Sequence, residues 1–223
     1  MIPVVPQPEP EGFNDNVRKP GQAFLATCPH PVNNDWREHR YWRYAKKELY
    51  NAYSGVCAYT CEWFSLQDDP EKEVSVDHFH PKAIKPQLAY EWRNYRLSTK
   101  MANGNKGSNI ILDPFEIKFG WFTLSLPDCQ VTANIELDPL LQEQIKSTIH
   151  ILRLNSNDDY VEGRREKICE YANGDYPLAF LRRRYPFIAF ELERQNKNID
   201  DLKQIFKKYF EEKRRVNANA SFS

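Results

Sequence analysis

The stretch Val74-Ser75-Val76-Asp77-His78 limits most sharply what this chain can build. Its period-two alternation puts Val74 and Val76 on one face of a strand and Ser75 and Asp77 on the other. Pro81 ends the run, since proline has no backbone donor to continue a ladder. Tyr90 to Leu97 brings the chain back, and Ser98 to Lys106 reads as containing a short helix. Upstream, residues 56–64 read as a further short β-segment, bounded by Gly55 and by a Gln67-Asp68-Asp69-Pro70 turn. The spacing predicts a β-hairpin followed by a helix.

Around this unit the pattern is mostly helical. Residues 35–53 repeat aromatic and aliphatic side chains at helical spacing, with Asp35 as N-cap and Gly55 as stop. Arg37, Arg40, Arg43, Lys46 and Lys47 accompany that helix and read as its solvated face. Residues 1–22, with Pro3, Pro6, Pro8, Pro10 and Pro20, read as an extended arm rather than a packed element. Short β-like runs follow at Ile110-Ile111-Leu112 and Trp121-Phe122-Thr123-Leu124. Helices are predicted over 138–154, 157–173, 177–194 and 198–216. The expectation is an α+β fold: a β-hairpin-plus-helix core in a mainly α-helical chain. It divides into an N-terminal arm (1–34), a core with its leading helix (35–125) and a helical C-terminal region (126–223).

Lys plus Arg and Asp plus Glu both total 31, so the formal net charge is zero. Proteins that coat DNA unaided are usually basic, because phosphate contacts dominate their affinity. A neutral chain points instead to a local basic groove or a partner that supplies affinity. No run of about 18 apolar residues is present, so no membrane span is expected. The N-terminal residues lack the basic and apolar regions of a signal peptide. Five cysteines, an odd number, fit a reduced cytoplasmic setting.

The chemistry-bearing stretch runs from Val74 to Gly107 and contains Asp77-His78, Asn94 and Asn103. Phosphodiester hydrolysis needs a base near neutral pKa, and imidazole supplies one. It also needs a hard cation against the charge on phosphorus and on the leaving oxygen. Mg²⁺, or Mn²⁺, takes oxygen ligands, keeps several waters and needs only one or two protein groups. On that chemistry His78 is the general base, Asp77 and the Asn103 amide oxygen are the metal ligands, and Asn94 fixes the backbone that orients His78. His80, Lys82 and Lys106 are candidate phosphate contacts.

The arrangement resembles the HNH (ββα-metal) endonuclease superfamily. Asp77-His78 matches its first element. Asn94, within Trp92-Arg93-Asn94-Tyr95-Arg96-Leu97, matches the second, and Asn103-Gly104-Asn105-Lys106-Gly107 matches its N-x-x-K-G helix. His78-Phe79-His80-Pro81-Lys82 is similar to the H-F-x-P-K of a subgroup that includes Septu-type and retron-associated anti-phage nucleases. Tyr41 to Leu49, Cys57-Ala58-Tyr59, Leu112-Asp113-Pro114-Phe115 and residues 148–155 extend the similarity over about residues 36–167. The resemblance implies a metal-dependent endonuclease, the effector of a bacterial defence complex with an ATPase partner. DNA is the favoured substrate, with tRNA or other RNA as the other choice.

The chain departs from that family where a structural zinc would sit. Cys57 and Cys61 are spaced C-x₃-C, and no second pair precedes Asn103. Structural zinc normally takes four ligands, so none is expected, and both thiols read as buried small hydrophobes. Bland alternatives stand beside each role: Asp77 as a turn cap, Asn103 as a helix N-cap, His80 as a spectator, Lys82 and Lys106 as solvated. His30, His39 and His150 have no supporting pattern. Arg182-Arg183-Arg184 and Lys213-Arg214-Arg215 have acidic neighbours and read as helix surface. Two other functions stay open: a catalytically idle HNH-like scaffold, and a transition-metal site of His78 and His80 with Cys57 or Cys61.

Overall fold

The alternating stretch forms strand β1 (Val74–His78), paired antiparallel with β2 (Tyr95–Thr99) from Val74↔Thr99 to His78↔Tyr95. Period two then sorts the side chains. Val74, Val76, Tyr95 and Leu97 join one hydrophobic cluster. Asp77, Arg96 and Ser98 are buried too. This small sheet therefore has a polar face that is closed to water. The structure is a computed structural model that describes residues 1–65, 74–156 and 158–220, with side chains placed for all of these except 158 and 214–220. The expected turn at Gln67 to Pro70 lies outside the described residues.

The returning segment, not residues 56–64, is the partner of β1. Those residues make a single antiparallel bridge, Val56↔Trp63, around a tight turn closed by Cys61 N–H to Cys57 O at 2.9 Å. Cys61 sits there at φ 57°, a left-handed conformation no strand continues through. The turn still docks on the sheet, since Ala58 N–H donates to Leu97 O at 2.8 Å. Helix α4 (Lys100–Lys106) follows β2 directly. Thr99 caps it by accepting from Ala102 N–H at 3.2 Å, a typical N-cap bond. Strand, strand and helix thus occur in the predicted order.

Among the described residues, three α-helices precede the sheet: α1 (Lys19–Thr27), α2 (Asn33–Glu38) and α3 (Lys46–Ala52). A π-helical turn, Asn14–Arg18, leads into α1. This corrects the expectation of an extended, unpacked arm: Phe13, Val17 and Phe24 lie in the same cluster as β1 and β2. Gly21 of α1 approaches Tyr90 so closely that a Cβ would lie 2.1 Å from the ring's Cγ. Residues 1–10 are extended but fastened, Val4 N–H to Pro114 O at 2.8 Å and Trp92 Nε1–H to Gln7 O at 2.8 Å. The single helix predicted over 35–53 is also corrected. It breaks at His39 and Arg40, and a 3₁₀ turn over Tyr41–Ala45 joins α2 to α3. Asp35 caps from inside the first turn, accepting from Val32 N–H at 2.7 Å, and Gly55 lies past the end at φ 69°.

The C-terminal half builds a second cluster. A hairpin of β3 (Phe122–Ser125) and β4 (Gln130–Ala133) packs with α5 (Pro139–Ile151) and α6 (Asp158–Asn173). The two remaining predicted helices each divide, at Pro186 and at Phe206, into α7 (Leu178–Arg184), α8 (Pro186–Arg194), α9 (Ile199–Ile205) and α10 (Lys207–Ala220). Ile110 to Leu112 forms no strand; Leu112 N–H instead donates to Thr148 Oγ1 at 3.1 Å. The class is α+β, as expected. Among the described residues no helix is long and apolar enough to cross a membrane.

The Tyr90 ring lies among Phe24, Trp36 and Trp42, so it has nowhere to retreat from an added methyl on Gly21. Gly21→Ala is therefore expected to destabilise by about 1–3 kcal/mol through overpacking, measured by urea unfolding. An unchanged midpoint would contradict this packing.

Candidate functional site

Within the β1–β2 connection, residues 79–94, one side chain bonds three backbone groups. Asn94 is buried and its amide bonds backbone on both sides of the loop. Its Oδ1 accepts from His80 N–H at 2.8 Å, and its Nδ2 donates to His80 O and Leu88 O, each at 3.0 Å. The neighbouring Ala89 carbonyl then meets His78 Nε2 at 2.9 Å and the Tyr95 hydroxyl at 2.9 Å. A carbonyl can only accept, so Nε2 carries the proton and Nδ1 keeps the lone pair. The edges of Trp42 and Tyr95 confine the ring, with centroids at 4.9 and 5.3 Å. Burial, with Lys82 nearby, lowers the His78 pKa to about 3, so the ring is neutral at physiological pH.

Asp77 faces the other way and is 2% exposed. Its Oδ1 accepts from Lys106 Nζ at 3.1 Å, and its Oδ2 accepts from the Tyr59 hydroxyl. Lys106 is wholly buried and also donates to His78 O at 3.2 Å. Burial pushes the Asp77 carboxyl above its ordinary value, and Lys106 and Tyr59 oppose that shift. Lys106 thus spends its charge inside the fold, and a phosphate reaching it would have to break this pair. Beside it, Arg96 makes a two-pronged bond to Asp113 at 2.9 and 2.6 Å and lies 3.5 Å over the Phe115 ring.

A pocket of about 380 Å³ gathers Asp77, His78, Lys82 and Asn103. Asn103 lies inside α4 rather than capping it, and donates its amide nitrogen to Ser75 Oγ at 2.7 Å. The opposite end of that amide is an oxygen, which suits a hard cation. Lys82 Nζ lies over Trp42 at 5.3 Å and Trp36 at 5.9 Å, a cation–π setting. His80 does not line this pocket; its backbone serves the Asn94 clamp. Cys57 and Cys61 are buried in the second hydrophobic cluster. Among the described residues no three His, Cys, Asp or Glu side chains converge on one point. Arg182 pairs with Glu193, and Arg184 lies 3.5 Å over Trp63, so this basic run is engaged within the fold. Arg214 and Arg215 of the second run lie beyond the described side chains.

Sequence reasoning missed the partners of Asp77. Tyr59 and Lys106 lie 18 and 29 residues from it, and nothing in their local pattern marks them as its neighbours. It also missed Arg96, although its cross-strand position opposite Asp77 follows once β1 and β2 are in register.

Two outcomes follow. Lys106→Met is expected to cost about 3–5 kcal/mol in urea unfolding, because it leaves the buried Asp77 carboxylate uncompensated. Adding Asp77→Asn should recover part of that loss; a double variant less stable than the single one would refute the pairing. The His78 ring, followed by NMR, should not titrate between about pH 5 and 8. Because its folded pKa lies below the unfolded one, its contribution is full above about pH 6.5 and is lost as pH falls toward 3.

No family model matches the chain. Among curated proteins it is similar to the Septu protein PtuB of Bacillus thuringiensis, 38% identical over 66 residues. The matched stretch is 30% of this chain and spans about a quarter, 24%, of that protein's length.

Proposed function

We propose that this chain is a metal-dependent, HNH-type endonuclease and the effector subunit of a bacterial anti-phage defence complex that includes an ATPase partner. DNA is the favoured substrate over tRNA or other RNA. One observation carries the reading: a single pocket gathers an oxygen donor pair, Asp77 and Asn103, beside an imidazole whose tautomer is fixed. The similarity to the Septu protein PtuB supports the defence context.

Within that pocket His78 Nδ1 is the atom that takes the proton from the attacking water. As charge develops on the ring, Nε2–H remains bonded to Ala89 O, which opposes the developing positive charge. Asn94 positions that carbonyl through its bond to the adjacent Leu88 O. It acts by positioning the loop, without touching the reacting atoms. A base with pKa about 3 is weak by itself, and an anionic phosphodiester beside it raises that value on binding. Asp77 and Asn103 would hold Mg²⁺ or Mn²⁺, which when bound offsets charge at phosphorus and the leaving oxygen. Lys106 already balances Asp77, so the phosphodiester must bring compensating negative charge into the pocket with the ion. Lys82, on the pocket wall, is the phosphate contact.

The engaged state of Asp77, with both oxygens hydrogen-bonded, favours the second reading, an idle HNH-like scaffold. The two separate in one assay. The chain, copurified with its genomic neighbours, is incubated with plasmid and with total tRNA, with and without Mg²⁺ and ATP. Mg²⁺-dependent cleavage that falls at least 100-fold in His78→Ala, with an unchanged circular dichroism spectrum, is expected. Equal cleavage by that variant removes His78 as the base; no cleavage by the parent complex leaves the scaffold.

A further inference from the structure

The pocket that holds His78 adjoins a second hollow of about 530 Å³, and Lys82 and Ala83 line both. The first carries Asp77, His78 and Asn103, whereas the second is mostly apolar. Leu25 of α1, Pro29 and Pro31 of the α1–α2 connection, and Ile84 and Pro86 of the loop after β1 form its walls. Ile84 is 60% exposed, so it presents hydrocarbon to water beside the site. The polar groups that line the hollow are the His30 imidazole, the Gln87 amide and the Lys82 ammonium. Among the described residues no carboxylate lines it, and neither the His30 nor the Gln87 side chain is bonded within the fold.

The loop wall is pinned. Pro81 O accepts from both Ile84 N–H at 2.9 Å and Lys85 N–H at 2.8 Å. Asn94 bonds His80 on one side of that turn and Leu88 on the other. Lys82 Nζ lies over Trp42 and Trp36. The hollow is therefore preformed and its place beside His78 is fixed, which lowers the ordering cost of a ligand. A nucleobase has flat apolar faces, a polar edge, and a phosphate joined to it through the sugar. Walls of Leu, Ile and Pro suit the faces, Gln87 and His30 suit the edge, and Lys82 stands where the phosphate passes toward His78. Inside a duplex a base has its faces covered by neighbours and its edge paired, so this hollow offers it nothing. A base outside the stack has both free. We propose that the hollow receives an unpaired nucleobase next to the scissile phosphate, so that the preferred substrate carries a nucleotide turned out of its stack at the cut. The inference rests on the nuclease reading for the identity of the ligand, and on the chemistry of the walls for its place.

The test is fluorescence anisotropy of the full chain, in EDTA so that no cleavage occurs, with two labelled DNA duplexes. One is fully paired, and the other has a single unpaired adenine at its centre. The parent should bind the bulged duplex about 10-fold tighter, the order expected for one base moved onto an apolar surface. Ile84→Ser/Gln87→Ala should bring the two affinities to about the same value, and Ile84→Leu/Gln87→Asn should restore most of the preference. Ile110→Ser, 87% exposed and outside both pockets, should keep it. All these changes are at exposed side chains, and melting temperatures should match the parent's. With aminopurine in place of the unpaired adenine, the parent should shield its emission from acrylamide and Ile84→Ser/Gln87→Ala should not. Equal affinity of the parent for the two duplexes overturns the proposal, as does a preference that survives in Ile84→Ser/Gln87→Ala, or a parent that binds neither duplex. A bulged RNA duplex is the second arm, and a preference seen there alone keeps the subsite and overturns DNA as its source. The nuclease reading fails separately: a parent that selects the bulge through Ile84 and Gln87 but never cleaves with Mg²⁺ keeps the subsite and loses the catalysis.

Discussion

A carboxylate and an ammonium can both be removed from water only if each supplies what the other lost. Asp77 and Lys106 meet this condition with help from the Tyr59 hydroxyl, which donates to the carboxylate's second oxygen, and the His78 carbonyl, which accepts a second bond from the ammonium. The pair ties three stretches together: β1, the helix that follows β2, and the turn at Cys57 to Cys61. It explains how a two-stranded sheet, marginal by itself, can have a buried polar face. Removing one partner costs far more than the intact pair contributes, so the arrangement fixes geometry rather than adding much net stability. With Asp77 and the backbone of His78 bound to the same ammonium, the pocket floor cannot shift piecemeal.

The opposite wall works through the backbone. The Phe79 to Asn94 connection contains no strand, yet Asn94 converts it into a fixed frame by bonding His80 and Leu88. The Ala89 carbonyl then sets which nitrogen of His78 bears the proton. The chemistry proposed for the site depends on that choice, because the other tautomer would turn its lone pair toward a carbonyl. The pocket is thus held by a charged clamp on one side and an amide clamp on the other, with Trp42 and Lys82 between them.

Short-range pattern made part of this legible. Alternation located β1, and the spaced Asp77-His78, Asn94 and Asn103 marked residues of which three share the pocket. What failed did so for identifiable reasons. Proline richness in residues 1–22 suggested an unpacked arm. Most of those prolines precede residue 11, and Pro20 lies in the first turn of α1, where a missing donor costs nothing. Apolar periodicity over residues 35–53 suggested one helix. The every-third spacing of the basic residues carried the better signal, since it suits the 3₁₀ turn that interrupts it. Residues 56–64 resembled a strand in composition, but the Cys57–Cys61 turn overrides propensity. Lys106 was legible as a motif residue only; that its charge turns inward is a tertiary fact.

The N-terminal segment also has a kinetic meaning. Ile2 reaches Cys61 in one hydrophobic cluster, while Phe13, Val17 and Phe24 enter the other, and Gln7 bonds Trp92 across 85 residues. It is a strap sewn through both halves, and its contacts are among the most distant in sequence. Loop-closure entropy makes such contacts slow to form. The strap can dock only after the β1–β2 connection and the turn at Pro114 exist. Its docking therefore works as a late locking step. Because it contacts both clusters, its docking couples one to the other.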